Sequence, residues 1–512
     1  MSCPMYGKKS RLYVSIICAI SISVIALSTA PPVFGAETPS GVDDRETYPI
    51  SIRNAMILAL ERNPAVAIQR LDTDVTETMS SEQRSEFDPS ISATVDQSQT
   101  KLQRFLGTRP DPVAMTWDRS NYNFDITQVL PTGTTLSASA SMTGSVSSLY
   151  TDQFSGIVGV SVTQSLLRGF GVGPSLANLR KAKIDVEISK SELQGVAERL
   201  ISDVEKAYWN LYLSAEEIVI QNKSLELADK QLQESLERVA VGKLPELELA
   251  AVHAEVATRR RTLIDAQSSY DQARLQFLFL LFPSERSAWE TRPIPVDIPF
   301  IPEDSLDVID IHEELGMKYR PDLFQARLEL EKGELDIVRT KNGLLPRLDL
   351  FVSMGKTTYS KTFNDAIPDL QSPFHELRGG LTFELPVTNR QARSQANRAR
   401  FTRDQMELSL KNMERLVQMD IRSAYIEVER AKQQIEATLV SRELQEKKLG
   451  AEEEKFRVGK STNFLVLQAQ RDFIASQLDE AGAKVAYLNA LIDLYQMEGT
   501  LLKRRGIENL SM

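Results

Sequence analysis

Cysteine is almost absent. Of 512 residues only Cys3 and Cys18 are cysteine, and both fall in an N-terminal leader. Beyond it there can be no disulfide, thiolate metal site or cysteine nucleophile. Neither cysteine has the setting of a lipidated one, so no lipid anchor is expected. Histidine is nearly as scarce. His253, His312 and His375 are too scattered to share a metal, and they read as surface or packing residues. There is no G-x-S-x-G, H-E-x-x-H or EF-hand loop. No catalytic, cofactor-binding or metal-binding residue is expected, so an exported hydrolase finds no support. Positive charge is in deficit, with a net charge of −10, which repels nucleic-acid phosphates. Long apolar runs are missing after the leader, which excludes a membrane-spanning helix there. Membrane-crossing strands have a weaker signal and stay open.

The leader carries Lys8, Lys9 and Arg11, then an apolar run from Leu12 to Ala30 that Pro31 and Pro32 end. Val33 and Gly35 offer a cleavage signal, with Ala36 as a near alternative. Residues 1–36 are expected to be a secretory signal peptide, and 37–49 a short extension. Losing the leader removes three positive charges and no negative ones, so −10 becomes −13.

What is present in abundance is self-similarity. At an offset of 217, Asp203 meets Asp420, Ala207-Tyr208 meets Ala424-Tyr425, Gly242 meets Gly459 and Tyr270 meets Tyr487. At an offset of 257, Pro64 meets Pro321 and Pro89 meets Pro346. One module is expected twice, at roughly 50–282 and 307–502, with about 40 extra residues in the first copy between Pro89 and Asp203. A connector at 283–306 holds Pro283, Pro293, Pro295, Pro299 and Pro302, too many for a continuous helix. Residues 503–512 form a tail.

Within each copy the hydrophobic period changes. A helical stretch follows Pro64, and Pro89 ends it. Then apolar and polar residues alternate: Ile91, Ala93 and Val95; Tyr122, Phe124 and Ile126; Leu136, Ala138, Ala140 and Met142; Val158, Val160 and Val162. The second copy repeats this with Leu348, Leu350, Val352 and Met354, then Leu377, Leu381, Phe383 and Leu385. These segments, at about 90–165 and 347–386, predict strands of roughly nine to eleven residues, a length that suits a bilayer. Four fall in the first copy and two in the second. A seven-residue repeat follows, through Val204, Leu211, Ile218, Leu225, Leu232 and Val239, then through Ile421, Val428, Ile435, Leu449 and Phe456. It predicts long helical hairpins at about 175–282 and 390–502, packed as coiled coils.

Each hairpin would turn at a VGK: Val241, Gly242, Lys243 and Val458, Gly459, Lys460. VGKST at 458–462 mimics a phosphate loop, but Glu454 stands where that loop needs its first glycine, and a helix precedes it instead of a strand. Glycine instead supplies the positive φ that ends a helix, Pro245 stops the first helix continuing, and Thr462 and Asn463 offer caps to the next.

This order of leader, helix, strands and long hairpin, written twice, resembles the TolC family of outer-membrane efflux channels over nearly the whole mature chain. The local signatures are NPAVAIQ…FDPSI, RPDLFQA…LLPRL, GVSVTQSLLRGFG, RVAVGK and EKFRVGK. The resemblance implies an α+β membrane protein: a homotrimer whose strands form one barrel in outer-membrane lipid and whose helices form a periplasmic coiled-coil tunnel. The connector would then lie in an equatorial belt. It also implies a passive exit duct of a tripartite efflux or secretion system, with a periplasmic adaptor (membrane fusion protein) and an inner-membrane pump of RND, ABC or MFS type docking at the VGK tips. Where some members carry gating aspartates, this chain has Leu465 and Gln468 beside Phe464, and Phe456 where a gate tyrosine can stand. An apolar periplasmic gate is expected. The family norm of two strands per copy leaves one added hairpin, around VLPTGTTL, to be placed. The competing reading is a periplasmic coiled-coil adaptor without a pore.

Overall fold

The computed structural model describes residues 47–105, 107, 110–148, 151–242, 245–282, 287–301, 306–367 and 373–507. The expected signal peptide and Lys243 lie outside them.

Ser51 opens the first helix, α1 (Ile52–Arg62), by accepting from Asn54 N, and Asn63 opens α2 (Pro64–Ser85) by accepting from Ala65 N at 2.9 Å. Four strands follow: β2 (Ser90–Arg104), β3 (Val113–Val129), β4 (Thr134–Ser147) and β5 (Gln153–Ser165). Next come the 64-residue α3 (Ala177–Ala240) and α4 (Glu248–Leu281). The order then recurs as α5 (Ile309–Tyr319), α6 (Pro321–Gly343), β7 (Arg347–Ser360), β8 (His375–Glu384), the 68-residue α7 (Arg390–Arg457) and α8 (Asn463–Met497). At ~1.5 Å per residue α3 and α7 are each about 100 Å long.

β2, β3, β4, β5, β7 and β8 form one antiparallel sheet in that order. Its strands run to 17 residues, longer than alternation alone predicts. The middle of β2, Gln97–Lys101, is polar on both faces and carries no period-two signal, yet its ladder bonds continue in register. A second departure is small. β1 (Thr47–Ile50) pairs in parallel with β6 (Arg292–Pro295), within the proline-rich connector. Proline tolerates an edge position, so density of proline excluded helix there without excluding strand.

Beneath the sheet, α3 is central. It packs against α1, α2 and α4 on one side and α6 and α8 on the other; α7 packs on α6 and α8 at the far flank. The main core joins Ile50, Met56, Ile201, Val204, Tyr208, Leu211, Phe277 and Leu281. Tyr208 is fully buried, edge-on to Trp209 and Phe277; its hydroxyl shares its one proton between Asp297 Oδ2 at 2.9 Å and Ile50 O at 3.1 Å and accepts from Asp297 N at 3.0 Å. The aromatic cluster of the first long helix is therefore packing. Lower on α3 the buried positions are, apart from Ile220, small or polar: Ser214, Ser224, Ala228, Gln231 and Ser235, while Leu225, Leu232 and Val239 are half-buried. Small residues let neighbouring helices approach closely where a leucine seam would hold them apart.

A polar knot ties the copies together at mid-height. Glu498, fully buried, contacts His312 and accepts from Thr500 Oγ1 at 2.8 Å and Arg504 Nη2 at 3.2 Å. Arg505 grips buried Glu205 with two bonds of 2.7 Å. His312 is thus a packing residue of this knot.

Candidate functional site

Two regions carry the chemistry expected of a conduit: the helical tips and the sheet faces. At the second tip Gly459 has φ 76° and closes a Schellman turn. Gly459 N donates to Phe456 O at 3.1 Å and Lys460 N to Lys455 O at 2.8 Å. At the first tip Gly242 has φ 72°, and its N–H donates to Val239 O at 2.9 Å. A Cβ on either glycine would meet open space, so backbone conformation alone selects glycine. Val241 and Val458 are 67% and 64% exposed, and Lys460 is exposed.

The tips lie side by side because their helices are bonded to each other. Gln231 Nε2 on α3 donates to Asn463 Oδ1 on α8 at 2.7 Å, with both residues buried. Arg238 on α3 lays its guanidinium 4.1 Å from the Phe456 ring centroid. Asn463 is therefore spent on this link, and Thr462 stands at the helix start without a side-chain cap bond, contrary to the capping expected of both. These pairings join the two copies, so no repeat within one copy announces them. Hydrogen bonds from Lys455 and Ser461 hold the Glu452 carboxyl below its ordinary range.

The four residues expected at the gate separate into two groups. Phe456 is buried beneath Arg238. Phe464, Leu465 and Gln468 share one exposed face at the start of α8.

The sheet has two unlike faces. One row crosses all six strands as Ile91, Ile126, Ala138, Val160, Met354 and Leu377. The adjacent row on the other face reads Ser90, Thr127, Ser137, Ser161, Ser353 and Arg378. On the apolar side Ile91, Val160, Met354, Leu377 and Leu381 are 57–68% exposed. So large an apolar surface needs an apolar neighbour. Among the described residues no helix is long and apolar enough to cross a membrane, and no cluster could hold a metal ion.

An amphipathic antiparallel sheet set on a body of 100-Å helices defines a class of α+β protein in which a strand layer caps a helical stalk. More particularly, the chain belongs to the outer membrane efflux protein family, whose model matches residues 56–281 and 317–500, and this places it in the outer membrane. Among curated proteins it is similar to the pyoverdine export outer membrane protein OpmQ of Pseudomonas putida, 23% identical over 61% of this chain and 64% of that one. The Pseudomonas aeruginosa protein of the same name is 25% identical over 64% and 67%. The chain thus spans less than two thirds of the first relative's length. In fold it is similar to the outer-membrane channel OprN, with a TM-score of 0.65, 16% identity and 88% and 89% of the two chains covered. The Campylobacter jejuni CmeC outer membrane channel gives 0.64, 15%, 93% and 91%.

Proposed function

We propose that the protein is a passive outer-membrane exit duct, a homotrimer opened by a periplasmic adaptor and an inner-membrane pump at its helical tips. The observation that carries this reading is that sheet and stalk are open on the same two flanks. One flank presents β2 with α2 and α4; the other presents β8 with α7. Unlike flanks on one subunit join head to tail, and a rotation of a third of a turn at each contact closes three subunits into a ring.

The flanks are complementary. On α2 an exposed stripe runs from Ile68, Leu71, Val75 and Met79 to Glu82 and Glu86 as the helix nears the sheet. On α7 an exposed stripe starts at the sheet with Arg390, Arg393 and Arg400 and continues to Phe401 and Leu408. Acid meets base near the sheet, and apolar meets apolar below. A poreless adaptor leaves the amphipathic sheet without a role.

The tips of such a ring offer Val241, Gly242, Val458, Gly459 and Lys460 to an adaptor. Phe464, Leu465 and Gln468 line its inner end as an apolar gate, with Phe456 and Arg238 as the platform behind them. Since two relatives are named for pyoverdine export, pyoverdine is the first cargo to test. Purification from membranes, a subunit count and planar-bilayer conductance test the reading. A monomer without conductance would defeat it.

A further inference from the structure

We infer that the inserted hairpin β3–β4 is part of the membrane wall, so that three protomers of six strands close an eighteen-stranded barrel. This rests on the trimeric-duct reading above. Offsets of 257 and 217 match β2 with β7 and β5 with β8, which leaves β3 and β4 as the insertion.

Its place in the sheet is central. β2 pairs only with β3, and β5 pairs with β4 and β7. Removing the hairpin from the wall would break the sheet in two. The hairpin also continues both faces. Ile126 and Ala138 sit in the apolar row, and Thr127 and Ser137 in the polar one. Strands of 17 and 14 residues exceed the nine to eleven or so that cross a bilayer.

The turn between them is anchored at the stalk end. Gly133 has φ 81°, and a Cβ there would fall 2.2 Å from Gly169 O. Ser165 N donates to Gly133 O at 3.1 Å and Gly171 N to Thr132 O at 3.2 Å. Both strands therefore span from the stalk to the far loops.

Ring closure is consistent in direction. β2 leaves α2 at the stalk end and runs away from it, and β8 runs back toward α7. Joining β8 of one protomer to β2 of the next is antiparallel, as in every other pairing of this sheet. With strands ~4.8 Å apart and tilted ~40°, eighteen strands give a backbone diameter of about 36 Å, against about 24 Å for twelve. The lining would be the Ser, Thr and Asn face, so the wall passes bulky polar cargo.

The mature chain lacks cysteine, which makes single-cysteine labelling clean. Ser139→Cys and Ser141→Cys should react with a charged, water-soluble thiosulfonate in proteoliposomes and lose conductance. Ala138→Cys and Ala140→Cys should be protected by lipid. Equal labelling of both pairs in a conducting trimer would overturn the eighteen-stranded wall and spare the duct reading. Loss of trimer and conductance in the unsubstituted protein would overturn both. Replacing 105–152 by a short loop should leave a trimer whose outer mouth admits only smaller neutral polymers, the barrel diameter falling by about a third. An unchanged polymer size limit at the outer mouth would again exclude the wide barrel, and if that variant fails to fold the cysteine pairs decide.

Discussion

Single residues set the local conditions for stability and for the proposed gate. Glu198 is 3% exposed and lines a cleft of about 480 Å³ with Gln69, Arg199, Arg320 and Asp322. Burial foremost, with Asp322 adding to it, raises its carboxyl from 4.5 to about 7, against a hydrogen bond from Gln194. The folded state keeps a proton that the unfolded state releases near 4.5, so stability should fall as pH rises from 4.5 to about 7 and level off above. A shift of this size corresponds to at most ~3 kcal/mol. Glu198→Gln should flatten that limb and exceed the parent above pH 7, read by denaturant midpoints across pH. At the tip, Gly459→Ala forces a Cβ into the left-handed region and should cost about 1 kcal/mol locally, seen as faster amide exchange of Val458–Ser461. Leu465→Asp should create a carboxylate ring at the inner end, changing single-channel conductance and adding cation block. If both stay as in the parent, the gate lies elsewhere.

Elements meet one another through faces that no single element explains. The alternations beginning at Ile91, Tyr122, Leu136, Val158, Leu348 and Leu377 were legible as strands because side chains alternate sides and one side must be apolar. The stretch Gln97–Lys101 of β2 was not, since residues polar on both faces have no period to read. The heptads made α3 and α7 legible, but the seam low on α3 is built mostly from serine, alanine and glutamine. The flanks are testable at this scale. Glu82→Lys with Glu86→Lys should weaken the trimer by about 1–2 kcal/mol at low salt, each exposed pair contributing up to ~1. Adding Arg390→Glu and Arg393→Glu should restore it, measured by the trimer fraction on native gels. No restoration would remove the proposed pairing of α2 with α7.

For the whole molecule the proposed assembly separates docking from conduction. Val241→Asp with Val458→Asp places charge on the two exposed tips, so crosslinking to an adaptor should be lost while trimer and conductance persist. A fall in trimer content instead would assign these valines to subunit packing. The mid-height knot should matter to the fold alone. Glu498→Ala strands buried His312 and removes the carboxylate that Arg504 and Thr500 bond, and should cost about 1–3 kcal/mol, read as a lower melting temperature.

Sequence alone determined the order of elements and the glycine-turned hairpins. The first follows from periods of two and seven, which neighbouring residues impose on one another, and the second from the residue that takes a positive φ most readily. Only the tertiary structure decided that the added hairpin sits mid-sheet, that Asn463 bonds Gln231 instead of capping its helix, and that Phe456 lies under Arg238. Those contacts join segments more than two hundred residues apart or depend on which strands pair, and no local pattern encodes them.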